Sequence, residues 1–239
     1  MPLLEVDEVR AAYGRVEVLR GLSISVGEGQ VVAVLGPNGV GKTTLMNTLA
    51  GLLRVSSGQI KLDGRRLDRL SPYEIARRGL LLVPEGRGIF PGLSVKDNLD
   101  IAVRADRGDD PAGRQARLDR VLERFPRLAE RLSQQAGTLS GGEQQMLSMS
   151  RAFLGEPRVL MLDEISNGLA PIIVEELFEA VGALRAEGQT ILMVEQYLTY
   201  ALRHADYCYV LHRGQVAHEG TPAELEESGA LESAYLTSA

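Results

Sequence analysis

The 239-residue chain contains a single cysteine and no long apolar run, and each absence limits what the protein can be. One cysteine cannot form a disulfide within the chain. Because Cys208 lies in an apolar run at residues 207–211, we expect it to be a small buried side chain. No run approaches the roughly 20 consecutive apolar residues that span a bilayer, and residues 1–5 lack the pattern of an export signal. The sequence therefore predicts a cytoplasmic protein.

Lysine is also scarce, since only three of the 26 basic residues are lysines, and 32 acidic residues give a formal net charge of −6. Affinity for nucleic acids depends mainly on neutralising phosphate charge, so this balance argues against a general nucleic-acid binder. Several arginines are interleaved with acidic residues, and a solvated surface is the favoured interpretation over a local binding patch. These arginines are Arg65, Arg66, Arg69, Arg77 and Arg78.

One of the three lysines stands in a glycine-rich segment at residues 36–44, which reads Gly-Pro-Asn-Gly-Val-Gly-Lys-Thr-Thr and is called the phosphate loop below. It matches the pattern G-x-x-x-x-G-K-[ST], for which we expect on the order of 0.003 chance matches per chain of this composition. The apolar run Val31–Leu35 precedes it, which predicts a strand leading into a helix. The expected helix carries Leu45, Met46, Leu49, Leu52 and Leu53 at helical spacing.

The residue types of the phosphate loop suit a polyphosphate. Gly36, Gly39 and Gly41 allow positive φ and close backbone approach, so that consecutive N–H groups can point at one anion. Lys42 is expected to reach the β- and γ-phosphates, and the hydroxyl of Thr43 to bind Mg²⁺. The alternative is a glycine-rich turn that binds no ligand.

The pattern of apolar runs predicts an α/β fold. Alternating residues in the first ~30 positions and at 59–64 predict antiparallel strands in a small β layer. Near-continuous apolar runs, separated by helix-length segments, are typical of a parallel sheet covered on both faces. These runs lie at residues 31–35, 80–83, 159–162, 191–194 and 207–211.

Residues 92–156 show little strand signal and contain amphipathic helical patterns. We therefore expect a helical lobe there, inserted into an α/β core formed by residues 1–91 and 157–239. The charge-rich stretch at 104–111 is expected to be a mobile connection inside one domain of residues 1–239.

Two acidic residues, Asp163 and Glu164, follow the apolar run at 159–162. The carboxyl ends of parallel strands are where open α/β sheets bind ligands. One carboxylate can hold Mg²⁺-bound water while the next polarises an attacking water. Taken alone, the pair is explained equally well as charge at a helix N-terminus, but a phosphate loop in the same chain favours the catalytic interpretation.

A third segment, residues 139–145, reads Leu-Ser-Gly-Gly-Glu-Gln-Gln and is called the signature segment below. Ser140 can cap the helix that follows, and Gly141 and Gly142 expose N–H groups at its positive end. The alternative is a capped helix with no ligand. One γ-phosphate cannot use two such cradles from one subunit, so the segment suggests a nucleotide held between two copies.

Together the three segments resemble the ATP-binding cassette family over essentially the whole chain. The resemblance implies a P-loop core with an antiparallel β layer and an inserted helical lobe. It implies that Tyr13 stacks on adenine, that Glu164 is the general base, and that Asp163 and Thr43 hold Mg²⁺. Binding of the ATP phosphates would fall to Gly36, Asn38, Gly39, Gly41, Lys42, Thr43 and Thr44. Ser140, Gly141 and Gly142 would close over the ATP of a partner in a head-to-tail dimer.

The chain departs from the general family pattern at three places. Glu85 stands where a glutamine is expected to bind Mg²⁺, and its carboxylate can still do so but adds negative charge beside the triphosphate. Gln196 stands where a histidine is expected; its amide can donate to the γ-phosphate but cannot titrate near neutral pH. Residues 165–171 lack the aspartate that commonly signals across the dimer. Nucleotide binding is still expected, whereas the hydrolysis rate stays open.

Four short segments resemble one of the two ATPase subunits of branched-chain amino-acid importers, a group that also handles amides. The resemblance implies a second cassette, either a sister chain or a second copy, together with membrane permease subunits and, indirectly, a solute-binding protein. It also implies a peripheral position on the cytoplasmic face of the inner membrane. Phe90 and Leu93 are candidate anchors for a permease helix, with lobe core as the alternative. The segments are residues 83–87, 168–171, 194–196 and 234–236.

The sequence argues against two other classes of function. Cassettes that act on DNA carry a long coiled coil or zinc-binding cysteines between the two motifs, whereas about 100 positions without a cysteine separate Lys42 from Leu139 here. Cassettes that act on ribosomes usually have two copies in one chain. A small-molecule kinase would have no use for the signature segment.

Overall fold

The computed structural model describes residues 2–104, 111–229 and Leu231. The strands in these ranges are β1 (Leu4–Tyr13), β2 (Val16–Val26), β3 (Val31–Leu35), β4 (Val55–Leu62), β5 (Arg65–Arg66), β6 (Leu80–Val83), β7 (Val159–Asp163), β8 (Thr190–Val194), β9 (Tyr207–His212) and β10 (Gln215–Gly220). The helices are α1 (Lys42–Leu49), α2 (Pro72–Arg77), α3 (Val95–Arg104), α4 (Pro111–Arg124), α5 (Pro126–Ala129), α6 (Gly141–Leu154), α7 (Pro171–Ala186), α8 (Leu198–His204) and α9 (Pro222–Glu227), with a short 3₁₀ helix at Ala136–Thr138.

The strands form two sheets. Four make an antiparallel sheet in the order β2-β1-β4-β5, and six make a second sheet in the order β10-β9-β3-β8-β7-β6. In the second sheet all neighbours run parallel except β10, which pairs antiparallel with β9 at one edge. The predicted α/β fold with a small antiparallel layer is confirmed.

Five strands of the second sheet coincide with the five apolar runs. β3 and β6 occupy the predicted residues, and β7, β8 and β9 each extend one residue further. Every residue of β3 is buried, because successive side chains enter two different core layers. Val31 and Ala33 pack on the side of α3 to α8, whereas Val32 and Val34 pack toward α1 and the antiparallel sheet.

The regular elements that the structure describes between β6 and β7 are helices, apart from an isolated bridge between Ser94 and Gln135. α3, α4, α5 and α6 share one hydrophobic cluster with a face of the second sheet. The division into a core and a lobe at residues 92 and 156 stays a prediction. Most of the expected mobile connection, residues 105–110, lies outside the described residues, as does the 234–236 segment.

The helix after the phosphate loop is shorter than predicted. α1 ends at Leu49, and Leu52, which was expected on its buried face, is 64% exposed. Gly51 causes the early end because it adopts a left-handed conformation (φ +74°) that a helix cannot continue through. Cys208, in contrast, is fully buried as predicted, and burial raises the pKa of its thiol to about 12.

None of the helices in the part of the chain that the structure describes has the length and apolar character needed to cross a membrane.

Candidate active site

The phosphate loop joins β3 to α1 at the carboxyl edge of the second sheet. Gly36 has a φ of +147°, and a Cβ there would lie 2.7 Å from the carbonyl oxygen of Leu211. Gly41 caps α1 in a left-handed conformation, and a Cβ there would lie 3.2 Å from the side chain of Leu19. Glycine is therefore required at both positions by backbone conformation and by neighbouring atoms.

Lys42 is buried inside this loop, with only 4% of its surface exposed. Its Nζ donates to the carbonyl oxygens of Gly36 at 2.9 Å and Pro37 at 3.3 Å. It also forms an ion pair with Oε1 of Glu164 at 3.2 Å. The loop and the carboxylate after β7, which are 122 positions apart in sequence numbering, therefore meet at one ammonium group.

The carboxylate that ends β7 lies beside the first turn of α1. Oγ1 of Thr43 donates to Oδ1 of Asp163 at 3.3 Å, and Asp163 is 1% exposed. Burial raises the pKa of Asp163 to about 6, and the negative charges of Glu164 and Glu85 act in the same direction. The hydrogen bond from Thr43 and the charge of Lys42 oppose this rise without cancelling it.

Glu164 occupies a tight turn directly after β7. Its φ is +46°, a left-handed conformation that is uncommon for a residue other than glycine. Its N–H donates to the carbonyl oxygen of Val194 at 2.9 Å, and its own carbonyl accepts from the N–H of Asn167 at 3.1 Å. These bonds fix the turn and aim Glu164 back toward Lys42.

Glu85 approaches the same turn from the loop after β6. Nδ2 of Asn167 donates to Oε1 of Glu85 at 2.9 Å, and the charge of Glu85 is felt at Asp163. Of the three side chains that the sequence nominates for Mg²⁺, Thr43 and Asp163 are hydrogen-bonded and the charge of Glu85 acts on Asp163, and all three offer oxygen atoms. Oxygen donors fit Mg²⁺, which proteins usually hold by one or two carboxylates together with substrate phosphates. The described residues contain no cluster of three His, Cys, Asp or Glu side chains able to hold a metal alone.

The end of β8 holds a second buried carboxyl group that sequence reasoning missed. Glu195 is 0% exposed, and Ser166 donates its hydroxyl hydrogen to Oε2 of Glu195 at 2.5 Å. Burial raises the pKa of Glu195 to about 7, although the hydrogen bonds from Ser166 oppose the rise. The next residue, Gln196, is exposed at the same edge of the sheet, where its predicted role requires it.

Ser140 of the signature segment caps α6. Its Oγ accepts from the N–H of Glu143 at 3.3 Å, and Oε2 of Glu143 accepts from both the N–H and the hydroxyl of Ser140 at 2.8 Å. Nε of Arg131 donates to the other carboxyl oxygen at 2.7 Å. Burial alone would raise the pKa of Glu143, but these bonds outweigh it and the pKa lies below its ordinary value.

The two glycines of the segment have a packing role that the sequence did not reveal. A Cβ on Gly142 would lie 2.2 Å from Cγ2 of Ile173 in α7, and one on Gly141 would lie 2.9 Å from the side chain of Leu169. Gly142 is therefore needed so that α6 and α7 can approach closely.

Comparison with known proteins decides what this arrangement is. The family model described as "ABC transporter" matches residues 19–167, which is more than half of the chain and includes the phosphate loop, the signature segment and both strand-end carboxylates. The chain belongs to the ABC transporter family. The predicted membership of the ATP-binding cassette family is confirmed, and the chain is an ATP-binding ATPase of that family.

Relatives of this ABC ATPase match it from end to end. It is 43% identical over 234 residues to a high-affinity branched-chain amino acid transport ATP-binding protein, BraG, of Pseudomonas aeruginosa, covering 98% of this chain and 99% of the relative. It is 37% identical to a probable protein of the same description, LivF, of Archaeoglobus fulgidus, covering 94% of each. Among solved structures, the ADP conformation of the cassette MJ1267 superimposes with a TM-score of 0.84 at 26% identity, covering 99% of both chains.

Tyr13 lies at the end of β1, where it pairs with Val16 across a turn. Its side chain is 51% exposed and that of Val16 is 67% exposed. Tyr13 is therefore not part of the core, and its predicted contact with adenine stays a prediction.

A surface groove of about 400 Å³ lies beside the loop after β6, and we call it the lobe groove. Phe90 is 44% exposed and Leu93 38% exposed nearby, so neither belongs to the core of the helices. Arg151, which lines the groove, stacks 4.8 Å from the centre of the Phe90 ring. The apolar lining comprises Tyr73, Leu81, Leu82, Pro84, Ala102 and Ala152.

The arginines that the sequence assigned to a solvated surface have different surroundings, and Arg69 is exposed as predicted. Arg66 forms an ion pair with Asp68 at 2.7 Å, as the interleaved acids predict. Others line a cleft of about 720 Å³ at the opposite edge of the second sheet from the phosphate loop, where Asp63 and Glu156 supply negative charge. The arginines of this cleft are Arg65, Arg77, Arg78, Arg117 and Arg158.

Proposed function

We propose that this ABC ATPase powers uptake of branched-chain amino acids, or of related amino acids and amides, by binding and hydrolysing MgATP. The observation that carries the proposal is the meeting of Lys42, Thr43, Asp163 and Glu164 at one point. The end-to-end relatives that are named as branched-chain amino-acid transport ATP-binding proteins support the class of substrate. They favour transport over the alternatives of a cassette acting on DNA or ribosomes and of a kinase.

In the proposed site the phosphate loop holds the ATP phosphates. Lys42 already has its ammonium group inside the loop, and a triphosphate there would compete with Glu164 for it. Glu164 would then be available to take a proton from the attacking water. Gln196 would donate its amide to the γ-phosphate, and Tyr13 would stack on adenine. The residues proposed for phosphate contact are Gly36, Asn38, Gly39, Gly41, Lys42, Thr43 and Thr44.

Magnesium would be held by Thr43, Asp163 and Glu85; the hydrogen bond from Thr43 to Asp163 and the negative charge of Glu85 felt at Asp163 support this assignment. The ion, when bound, neutralises charge that develops on the phosphate oxygens. The same positive charge would favour the ionised form of Asp163, whose pKa burial otherwise raises.

The proposed working unit is a head-to-tail pair of cassettes with ATP between them. Ser140 is exposed at the N-terminus of α6, a helix of 14 residues, where the helix dipole favours an anion. We assign Ser140, Gly141 and Gly142 to the ATP held by the partner cassette. The partner is a sister chain or a second copy, and the lobe at residues 92–156 is proposed to bring the signature segment to it.

Pairing is tested with Glu164→Gln, which removes the general base and keeps the side chain's size. With saturating MgATP we expect this variant to accumulate as an ATP-bound dimer, either alone or mixed with the sister cassette. Light scattering measures the mass of the particle in each sample. A variant that stays monomeric both alone and with the sister cassette would contradict the proposal that ATP is held between two cassettes.

The lobe groove is the proposed docking surface for a short helix of a permease subunit. Its lining is mostly apolar with three arginines, Arg77, Arg87 and Arg151, and Phe90 and Leu93 are exposed beside it. This contact would place the cassette on the cytoplasmic face of the inner membrane. A solute-binding protein would act through the permease and not touch the cassette, and the net charge of −6 gives no reason to expect nucleic acid.

The function is tested by uptake in membranes that contain this chain together with candidate permease subunits and a second cassette. We expect ATP-dependent uptake of labelled leucine, isoleucine or valine, lost with Glu164→Gln. For docking, Ala102→Trp fills the groove and should reduce recovery of the complex by more than about tenfold. Ala186→Trp, on the exposed side of α7, is the matched control. Uptake that is unaffected by Glu164→Gln would contradict the proposed function.

A further inference from the structure

Glu195 is a fully buried carboxyl group that the roles assigned above do not use. Ser166 donates its hydroxyl hydrogen to one carboxyl oxygen, Oε2. The other oxygen, Oε1, accepts no hydrogen bond from the described residues. A buried acid with one unpaired oxygen is unfavourable for folding, so a hydrophobic residue would serve better if Glu195 only filled space.

The partner of Glu195 lies in the turn that carries the proposed general base. Ser166 is two residues beyond Glu164 and is 1% exposed. Between them the chain is tight, because the N–H of Asn167 donates to the carbonyl oxygen of Glu164 at 3.1 Å. Anchoring Ser166 therefore restricts where the carboxylate of Glu164 can lie.

The other end of the link is the loop that carries Gln196. Glu195 directly follows β8 and precedes Gln196, and β8 pairs with β7 in the sheet. One side-chain hydrogen bond thus joins the loops that follow two neighbouring strands. On its exposed side the same turn is held by the hydrogen bond from Asn167 to Glu85 at 2.9 Å.

We propose that Glu195 is a positioning residue that acts through Ser166 to hold Glu164 in place relative to Gln196 during ATP hydrolysis. The inference rests on the proposed function, because it requires Glu164 and Gln196 to act on the same phosphate. Displacing a base by about 1 Å can reduce a rate by a factor of about 100. The phosphate loop does not touch this link, so ATP binding should be preserved when the link is broken.

The experiment measures kcat and KM for ATP in the assembled complex with single and double substitutions. Ser166→Ala and Glu195→Ala should each lower kcat by about tenfold and change KM by less than about twofold. The double variant should be no slower than either single variant, because both remove one link. Glu195→Gln should retain most of the activity, since its amide oxygen can still accept from Ser166.

Ser150→Ala is the matched control, because Ser150 is also a buried serine but lies inside α6 away from the turn. Unchanged kcat in Ser166→Ala and Glu195→Ala, or losses that multiply in the double variant, would overturn the inference. If Glu195→Ala fails to fold, Ser166→Ala and Glu195→Gln still test whether the link positions Glu164. A link that only stabilises the fold would lower the melting temperature without lowering kcat relative to KM. Absent hydrolysis in the wild-type complex would overturn the proposed function and this inference together.

Discussion

The strand-end region, which we define as residues 163–166 at the end of β7 and 195–196 after β8, and the signature segment both contain buried acids, yet the pKa shifts of these acids are opposite. At the strand ends, burial raises the pKa of Asp163 to about 6 and of Glu195 to about 7. In the signature segment, hydrogen bonds from Ser140 and Arg131 overcome burial and lower the pKa of Glu143. Ionised carboxylates therefore destabilise the strand-end region, whereas the ionised carboxylate of Glu143 stabilises the signature segment.

This difference assigns different tasks to the two regions. Unfavourable buried carboxylates are typical of sites arranged for a ligand, because a bound cation or phosphate network changes their surroundings. The signature segment is complete within one chain, since its serine and acid satisfy each other in a capping box. We infer that the strand-end region depends on ligand for its electrostatic balance, and that the signature segment is a rigid surface presented to a partner.

The largest expected effect comes from removing Lys42. Lys42→Ala deletes the cation of the phosphate loop and leaves Glu164 without its ion-pair partner. Truncating one member of a charge pair across a binding interface typically costs about 2–5 kcal/mol, and Lys42 is proposed to form such a pair with the ATP phosphates, so ATP affinity measured by calorimetry should fall by at least about 30-fold.

Lys96→Ala provides the control for that measurement. Lys96 pairs with Asp100 at 2.7 Å on the surface of α3, and its side chain is 58% exposed. Loss of such a pair changes stability by no more than about 1 kcal/mol and should leave ATP affinity unchanged. Equal ATP affinity in Lys42→Ala and wild type would refute the assignment of the phosphate loop.

The second effect tests the rigidity of the signature segment. Gly142→Ala would place a Cβ 2.2 Å from Ile173, so α6 and α7 must separate. Overpacking of this kind typically costs about 1–3 kcal/mol, and we expect that loss in the free energy of unfolding by denaturant titration. ATP binding to the single chain should persist, because the phosphate loop does not contact Gly142.

Gly86→Ala is a suitable comparison, since a Cβ there meets no atom within 4 Å and its φ is not in the left-handed range. Unchanged stability in Gly142→Ala would show that α6 and α7 separate easily. The signature segment would then not be the rigid surface inferred here.

The pH dependence of stability should differ in sign between the two regions. The folded-state pKa of Glu195 is raised to about 7 from an ordinary value of 4.5, so its contribution to the free energy of unfolding decreases as pH rises between about 4.5 and 7. Glu195→Gln removes this decrease. Between pH 5 and pH 8 its free energy of unfolding, measured by denaturant titration, should therefore rise relative to that of wild type by about 1–3 kcal/mol.

Glu143→Gln should show the reverse. Its folded-state pKa is lowered, so Glu143 contributes stability that is present above pH 4.5 and is lost as pH falls below that value. The variant should therefore be less stable than wild type at pH 7 and approach it at pH 4. Parallel curves for both variants would contradict the contrast between the regions.

The sequence predicted the parts of this molecule that depend on local pattern. Apolar runs predicted β3, β6, β7, β8 and β9 to within one residue, because strands buried on both faces leave no polar alternation. Glycine spacing predicted the phosphate loop because the backbone conformation of that loop depends on adjacent residues.

Contacts between distant segments could not be predicted in that way. The bond from Ser166 to Glu195 depends on β7 and β8 being neighbours, and the need for a glycine at 142 depends on where Ile173 packs. The early end of α1 was missed because Leu52 and Leu53 continue the helical spacing past Gly51. Burial of Glu195 had a weak signal, an acid directly after an apolar run, which the sequence analysis did not use.

The smallest expected effect concerns Gln196, which stands in the strand-end region where the family pattern has histidine. Gln196 is exposed, whereas the preceding Glu195 is buried, so replacing Gln196 should not disturb the link to Ser166. A histidine can donate to the γ-phosphate and can also carry positive charge near neutral pH. If the missing imidazole limits turnover, Gln196→His should raise kcat for ATP by about threefold without changing stability. The expected rise is small because acid–base groups contribute factors of at least about 100 only when they are fully aligned. A kcat that is equal or lower in steady-state hydrolysis would show that the amide is sufficient, and that the strand-end region is limited by how Glu164 is held.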